Sequence, residues 1–471
     1  MLIFRKIIIL AIVVTVVFSS GLKIVWAEEG DADEGNSEIN TAAEKAQRLF
    51  GSRSGAVIRL NLNECVERAL IYNPEMQVAD YSIEAAEQKK VEVSKLGYPI
   101  VDYEYTVAPV PQDVGRAMTS FFSGDLSVLN KFKIGVGVPI DTFGKVKVGK
   151  ELADTGIASE RQKKIQKKSD IALKVKQLYS GILLAREVRH LLNSARNGVQ
   201  GQLDKREKAG GSDPTELLKL KLFRADLEKK MEDGDKKEIL AKEALRIQLG
   251  LDPGTRFDLA SGKLRPVGFR TNSYDGYRRE ALAQRSDLKL LDLGYAAREK
   301  QVRLEKRLMT PNLAVGAFFE LGRAPGVHGV TTTDDFSDPF NFTRAGIGLQ
   351  LKGQLDYHSS LAKIRQAKSE LRKVEVQRGL AHDGVELDVK EAFLEVRNTR
   401  LDMARTEEAG KLSRQLLFLT QSNIDIGLAE SKDLIEALSS FLLTRGQYFE
   451  SVFNFNVAVA KLEQKVGEDI Q

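Results

Sequence analysis

Only one cysteine, Cys65, occurs in 471 residues. An intramolecular disulfide is therefore excluded, and in an apolar helical turn this thiol reads as a small buried residue rather than a reactive one. Tryptophan also occurs once, proline eleven times, and aromatics make up 7% of the chain. Such a composition suits a mostly helical protein. The four histidines, His190, His328, His358 and His382, are scattered, with no partner at metal-ligand spacing. Neither sign of charge dominates: the formal net charge is +5, small for this length, and leaves no nucleic-acid footprint. Beyond residue 27 there is no apolar run long enough to cross a bilayer as a helix. A phosphate loop is excluded at Gly137–Lys145, because six residues separate Gly137 from Gly144 and Val146 replaces the required Ser or Thr. The many carboxylates lie among lysines, as on solvated helix faces. No enzyme chemistry and no cofactor is implied.

Residues 1–27 read as a secretory signal. Arg5 and Lys6 start it, Ile7–Phe18 form the apolar run, and Val25-Trp26-Ala27 supply a small-residue cleavage site. An uncleaved anchor is the alternative, for which the run is short. Residues 28–57 begin acidic and poor in apolar side chains, and are expected to be a flexible leader.

Phe132–Ile140 alternates strictly. Phe132, Ile134, Val136, Val138 and Ile140 share one face, and Lys133, Gly135, Gly137 and Pro139 the other. Val101, Tyr103, Tyr105 and Val107 alternate in the same way over 100–107. The stretches 312–321 and 344–352 repeat the pattern with the same phase. Residues 108–130 and 322–343 are expected to be the loops of two hairpins. Helical sequence surrounds them. Asn63 is the expected N-cap of a helix reaching about Leu96, with a kink or break at Pro74. From Lys145 helical sequence runs for about sixty residues, roughly 90 Å at 1.5 Å per residue. After the turn Ala209–Thr215 a helix returns to Leu249. The last helix carries Leu434, Leu438, Phe441, Arg445, Tyr448, Val452, Phe455, Val459, Leu462 and Val466 at coiled-coil spacing, which describes how it docks and carries no chemistry.

The chain repeats itself. Ala69-Leu70 matches Ala281-Leu282 and Pro99 matches Pro311; Val175 matches Val389, and Glu216 matches Asp433. Two structural repeats are expected, 58–272 (including a connector) and 273–471. Four amphipathic strands cannot close a membrane barrel alone, and open edges are not tolerated in lipid. Single-chain barrels begin at about eight strands. Either the strands form a soluble sheet on helices, or copies pool them. Three copies would give a twelve-stranded barrel, and two would give eight. Asp102, Glu104, Lys133, Glu320, Arg344 and Lys352 would then line water, with the apolar faces toward lipid.

Leu62–Pro74 (LNECVERALIYNP), the strand-end motif Pro139–Lys145 (PIDTFGK), the turn Gly427–Leu434 (GLAESKDL) and the duplication together resemble the TolC-like outer-membrane efflux protein family, over residues 58–467. The resemblance implies a mainly α protein with membrane β structure. It implies a homotrimer whose twelve-stranded barrel sits in the outer membrane and whose long helical barrel projects into the periplasm. Such a protein is the exit duct of a tripartite efflux or type I secretion system, with a periplasmic adaptor and an inner-membrane pump as partners. In that family acidic residues after the second tip ring the narrowed pore. The matching positions are Asp433 and Glu436, with Glu216 as the first-repeat counterpart, and three copies would favour cations. Helix capping is the alternative reading of Asp433. Latch positions in the family fall on Ile424 and Ala429 here, a departure; Asp425, Glu430 and Lys432 are the other polar candidates. Gly211, Asp213 and Gly427 belong to the tips expected to gate and to meet the adaptor. A non-conducting coiled-coil scaffold or adhesin remains the alternative, and the alternating strands argue against it.

Overall fold

The computed structural model describes residues 57–141, 143–209, 214–269, 272–328, 330, 338–353, 356–426 and 428–467. Residues 1–27 and most of the leader lie outside them. The chain divides into two units, Met1–Leu60 with Gly254–Asp258, and Asn61–Pro253 with Leu259–Gln471. In the first, β1 (Ile58–Leu60) pairs with β4 (Phe257–Leu259), and the Ile58 N–H donates to the Arg256 carbonyl at 3.1 Å.

The second unit opens with α1 (Leu62–Tyr72). Its cap is Asn61, not Asn63. Asn61 Oδ1 accepts from the Glu64 N–H at 2.9 Å, and Glu64 Oε2 accepts from the Asn61 N–H at 2.7 Å. A glutamate three residues on is what selects Asn61. The break expected at Pro74 is present: Asn73 ends α1 and caps α2 (Pro74–Ser94), with Pro74 at its first position, where a missing N–H costs nothing.

The strands are longer than the alternating cores. They are β2 (Ile100–Pro111), β3 (Leu126–Ile140), β5 (Asn312–Arg323) and β6 (Phe342–Lys352), forming one antiparallel sheet in the order β2-β3-β5-β6. Much of the expected loop 108–130 is therefore strand, and the helix α3 (Ala117–Ser123) occupies its tip. Prolines 109 and 111 sit on the outer edge strand, where a missing donor is tolerated. Register keeps all four strands in phase. Val101 faces Val136, Val136 faces Ala317, and Ala317 faces Ile347.

Asp141 joins sheet to helix. Its carboxylate accepts from the N–H groups of Lys145, Val146 and Lys147 at 2.7, 3.1 and 3.3 Å, at the start of α4 (Lys145–Ala209). Lys145 Nζ reaches the Thr310 carbonyl at 2.6 Å. Gly144 takes φ +69°, a conformation that favours glycine. The strand-end motif thus turns the chain and caps a 65-residue helix.

The remaining helices are α5 (Pro214–Gln248), α6 (Tyr274–Gln284), α7 (Ser286–Leu308), α8 (Tyr357–Asp425) and α9 (Ser431–Val466). Element order runs twice: two helices, two strands, a long helix, a return helix. Side by side, the helices follow α2-α4-α7-α8 near the sheet and α5-α4-α9-α8 near the tips. Among the described residues, two buried clusters join them. One gathers Tyr277, Val389, Phe455 and Leu462; the other, toward the tips, gathers Val199, Leu203, Leu220, Leu227 and Leu438. In the α9 seam Arg445 stacks 4.7 Å from both Tyr448 and Phe449, so a charge fits an otherwise apolar stripe. Among the described residues no helix is long and apolar enough to cross a membrane.

Candidate functional site: a charged sheet face and two hairpin tips

The sheet has two unlike faces. On one, Tyr103, Ile347, Leu349 and Leu351 are exposed. The other carries the residues expected to meet water. Asp102, Glu104, Lys133, Glu320, Arg344 and Lys352 all lie on it. Glu104 faces Lys133, Lys133 faces Glu320, and Glu320 faces Arg344, so one row of alternating charge crosses all four strands. A neighbouring Lys131 Nζ lies 2.6 Å from Glu320. Opposite charges directly across strands support each other. Sequence reading placed these residues on one face; it did not show that they form a row, because row membership depends on register.

The second place of interest is where α5 and α9 begin. Glu430 caps α9. Its N–H donates to Asp433 Oδ2 at 2.9 Å, and its side chain accepts from the Asp433 N–H. Asp433 therefore completes a capping box while staying exposed. Glu436, one turn on, is exposed on the same side, and Leu434, Ala437 and Leu438 are buried on the other. The structure thus brings Asp433 and Glu436 together on one uncovered face. Ile424 and Ala429 are half-buried, and Lys432 is exposed. Asp425 ends α8. Gly211, Asp213 and Gly427 lie outside the described residues.

Glu216 has a different position from Asp433. It sits in the first turn of α5 and is largely buried, and its Oε2 accepts the Ser431 N–H at 2.9 Å. Arg206 of α4 approaches the same oxygen at 3.6 Å, and Lys219 lies 3.1 Å from Oε1. A carboxylate from the first hairpin thus caps the first helical turn of the second. Hydrogen bonding from Ser431, aided by Lys219 against the pull of burial, holds the Glu216 carboxyl below the usual carboxylate range. Sequence could not find this tie, since its donor is a backbone amide 215 positions away.

Further up the first hairpin, Glu238 is buried among cations. Arg186 and Arg189 each lie 2.9 Å from it and Lys242 3.1 Å. Burial pushes its carboxyl up, but hydrogen bonds from Arg186 and Lys242 outweigh that and hold it below its ordinary value. The pair Glu238–Lys242 at i,i+4 was visible in the sequence; the α4 partners were not.

No family model matches this sequence, and no curated protein matches it. Solved structures do match the fold. A membrane protein from Pseudomonas aeruginosa superposes with a TM-score of 0.69 at 16% identity, covering 87% of this chain and 91% of its own. The Campylobacter jejuni CmeC outer membrane channel gives 0.68 at 15%, covering 89% and 90%. The open state of the Neisseria gonorrhoeae MtrE outer membrane channel gives 0.68 at 13%, covering 88% and 93%. The last two are outer membrane channels. With a four-stranded sheet whose faces divide by polarity, and two helices about 100 Å long, the chain has the TolC-like outer-membrane channel fold.

Proposed function

We propose that this chain is one copy of a homotrimeric exit duct in the outer membrane, the last stage of an efflux or secretion route. The observation that carries the reading is that every layer of the second unit ends on the same two edges. The sheet runs from β2 to β6. The upper helices run from α2 to α8, and the lower ones from α5 to α8. A rotated copy that sets its β6 and α8 against β2, α2 and α5 continues all three layers at once. β2 and β6 run antiparallel to each other, so the ladder continues too. Repeating a heterologous contact of this kind closes a ring. Three copies give twelve strands, an even number as such barrels have, and leave no open edge in lipid.

In that ring the exposed face bearing Tyr103 and Ile347 meets lipid, and the Glu104–Lys133–Glu320–Arg344 row meets water. The long helices project into the periplasm. Their tips meet a periplasmic adaptor that links the duct to an inner-membrane pump, and the substrate is the pump's. Asp433 and Glu436, three copies of each, form the negative constriction, with Asp433 capping α9 at the same time. Glu216 serves next to the ring by holding the two hairpin tips of one copy together.

Single-channel conductance of the purified protein in planar bilayers tests this. The expected result is a small cation-selective conductance that loses its selectivity in Asp433→Ala/Glu436→Ala. Unchanged selectivity moves the constriction elsewhere, and failure of the chain to assemble into oligomers that enter membranes removes the duct.

A further inference from the structure

The two edge strands carry the most exposed apolar side chains of the sheet. On β2 these are Tyr103, at 80%, Tyr105 and Val107; on β6 they are Ile347, at 86%, Leu349 and Leu351. Two prolines show which backbone groups of β2 point outward. Pro109 and Pro111 have no N–H to give to β3. Bonding direction alternates from residue to residue along a strand, and Gln112, just past β2, donates its N–H to the Asp125 carbonyl on the β3 side at 3.0 Å. Even residues of β2 therefore bond to β3, and odd residues turn their backbone groups to the free edge. Carried through β3 and β5 by their registers, the same alternation turns the odd residues of β6 to its own free edge. On both strands the odd residues bear the apolar face. The even residues, Asp102 and Glu104 on β2 and Gln350 and Lys352 on β6, share the charged face. Among the described residues neither Asp102 nor Lys352 has an ion-pair partner in its own copy.

The chain already contains one step of the kind that a ring requires. β3 to β5 joins the second strand of one repeat to the first strand of the next, and β6 to the next copy's β2 does the same. Pro99 on Pro311 sets β2 on β5. β3 maps onto β6 either by sequence, Ile134 on Ile347, or by hairpin register, Gly137 on Lys352. The first mapping sets Lys352 opposite Asp102 of the next copy, and the second sets it opposite Glu104. The prolines separate the two. In the first, Ile347, Leu349 and Leu351 face Val107, Tyr105 and Tyr103, all with N–H groups, and Pro109 falls opposite Ala345 toward the outer end. In the second, Pro109 falls opposite Ile347 and leaves that carbonyl without a donor in mid-strand, where lipid does not tolerate it.

We propose that β6 of one copy pairs with β2 of the next in the first register, fastened on the charged face by an ion pair between Lys352 and Asp102 of the next copy. The inference rests on the trimeric reading above. Opposite charges directly across strands support each other. A slip of one two-residue step in one direction sets Lys352 beside Ile100 and loses the pair; a slip in the other direction drives Pro109 into the ladder. Charge and proline thus hold the register from opposite sides.

The test is a pair of thiols in the full chain, reconstituted in membranes and oxidised. Gly348→Cys and Thr106→Cys stand opposite each other across the proposed contact, on the charged face. A Cβ at Gly348 meets nothing within 4 Å. Within one copy the two positions lie on opposite edges of four strands, at least roughly 14 Å apart, too far for a disulfide. The one native thiol does not compete, because burial and then the Glu64 charge push Cys65 up to about 12. Native mass spectrometry gives the oligomeric state, and a non-reducing gel gives the crosslink. The expected result is a trimer that becomes a covalent trimer, since each copy offers one thiol to either side. Gly348→Cys with Ala108→Cys, or with Glu104→Cys, is one step out of register, about 7 Å along the strand, and is expected to crosslink far less. Equal or greater crosslinking in either of these, or a trimer in which none of the three crosslinks, overturns the register and leaves the duct standing. Asp102→Lys is expected to lower the trimer fraction, and Asp102→Lys with Lys352→Asp to restore it; no loss, or no restoration, overturns the ion pair. Absence of any oligomer in the unaltered chain overturns the duct reading and the register with it.

Discussion

Glu216 ties two hairpins with one side chain. Its partner on α9 is the Ser431 amide, so only a change at Glu216 can remove the tie cleanly. Glu216→Gln keeps an acceptor and loses the charge; Glu216→Ala loses both. The expected order of destabilisation is Ala over Gln, with the alanine costing about 1–2 kcal/mol, the range for a cap or a charge-assisted hydrogen bond. Hydrogen exchange at Ser431 checks it, and unchanged exchange in Glu216→Ala removes the tie. The pH dependence has a definite sign. The carboxyl is held below its ordinary value in the folded chain. Its contribution is therefore complete above the usual carboxylate range and is lost as pH falls through the lowered value. Protection of the α9 start should survive mild acid and fail only below that range. Glu238 is the second residue with a large expected effect. Glu238→Ala removes the buried carboxylate that Arg186 (side chain 11% exposed), Arg189 and Lys242 share, at a cost of about 3 kcal/mol. Arg189→Ala, at a half-open position, should cost under about 1 kcal/mol. Denaturant melts of the two variants separate these outcomes, and equal losses would count against the buried pair.

At the scale of elements, junctions matter more than helix interiors. Gly250 ends α5 with φ +59°, and a Cβ placed there would run into the Tyr72 carbonyl oxygen. Beside it, Asn73 Nδ2 donates to the Gln248 carbonyl at 3.0 Å. Gly250→Ala combines backbone strain with a backbone clash, so it is expected to separate the α1–α2 corner from α5 and cost more than about 2 kcal/mol. Thermal denaturation against Gly198→Ala, in open helical space, gives the comparison; equal melting temperatures refute the clash. This junction also marks how far the sequence could be read. Strand positions and facing were legible because period-two alternation survives without any partner. The long helices were legible from the absence of proline. Helix starts were less so: Asn61 and Asn63 are both good caps, and only the reciprocal bond with Glu64 decides between them. The strand ends were missed because the outer segments, Ala108–Pro111 and Leu126–Asn130, include proline and polar residues that look like loop; cross-strand bonding, not side-chain pattern, makes them strand. At the site, the shared face of Asp433 and Glu436 followed from spacing alone. Glu216's partner and the charge row needed register and tertiary packing.

For the whole molecule, the edges carry the argument. Helix α8 bears Leu380, Leu387, Leu394 and Leu401 at strict seven-residue spacing, all exposed in the single copy. On the opposite edge α5 exposes Leu218, Leu222, Ile239 and Leu240. A seven-residue apolar stripe is a coiled-coil seam awaiting a helix, and within the chain α9 and α7 already occupy the other sides of α8. In the proposed ring the copy-to-copy contact would have a helical part and a strand part, and they can be broken separately. Leu387→Lys with Leu394→Lys places two cations in the helical seam without touching the strands, and should shift purified protein from trimer to monomer in a sizing experiment. Ile347→Lys acts on the strand part through lipid. At mid-strand on the face that the proposed barrel turns to hydrocarbon, a lysine costs about 2–4 kcal/mol of insertion, whereas Gln350→Lys, one register step along β6 from Leu349 and on the charged face, should insert as well as the unaltered chain. The comparison fixes the orientation of the sheet. If Gln350→Lys blocks membrane insertion and Ile347→Lys does not, the charged row faces outward and no lipid-embedded barrel can be built from these strands. If Ile347→Lys alone fails, the polarity of the sheet is that of a barrel filled with water.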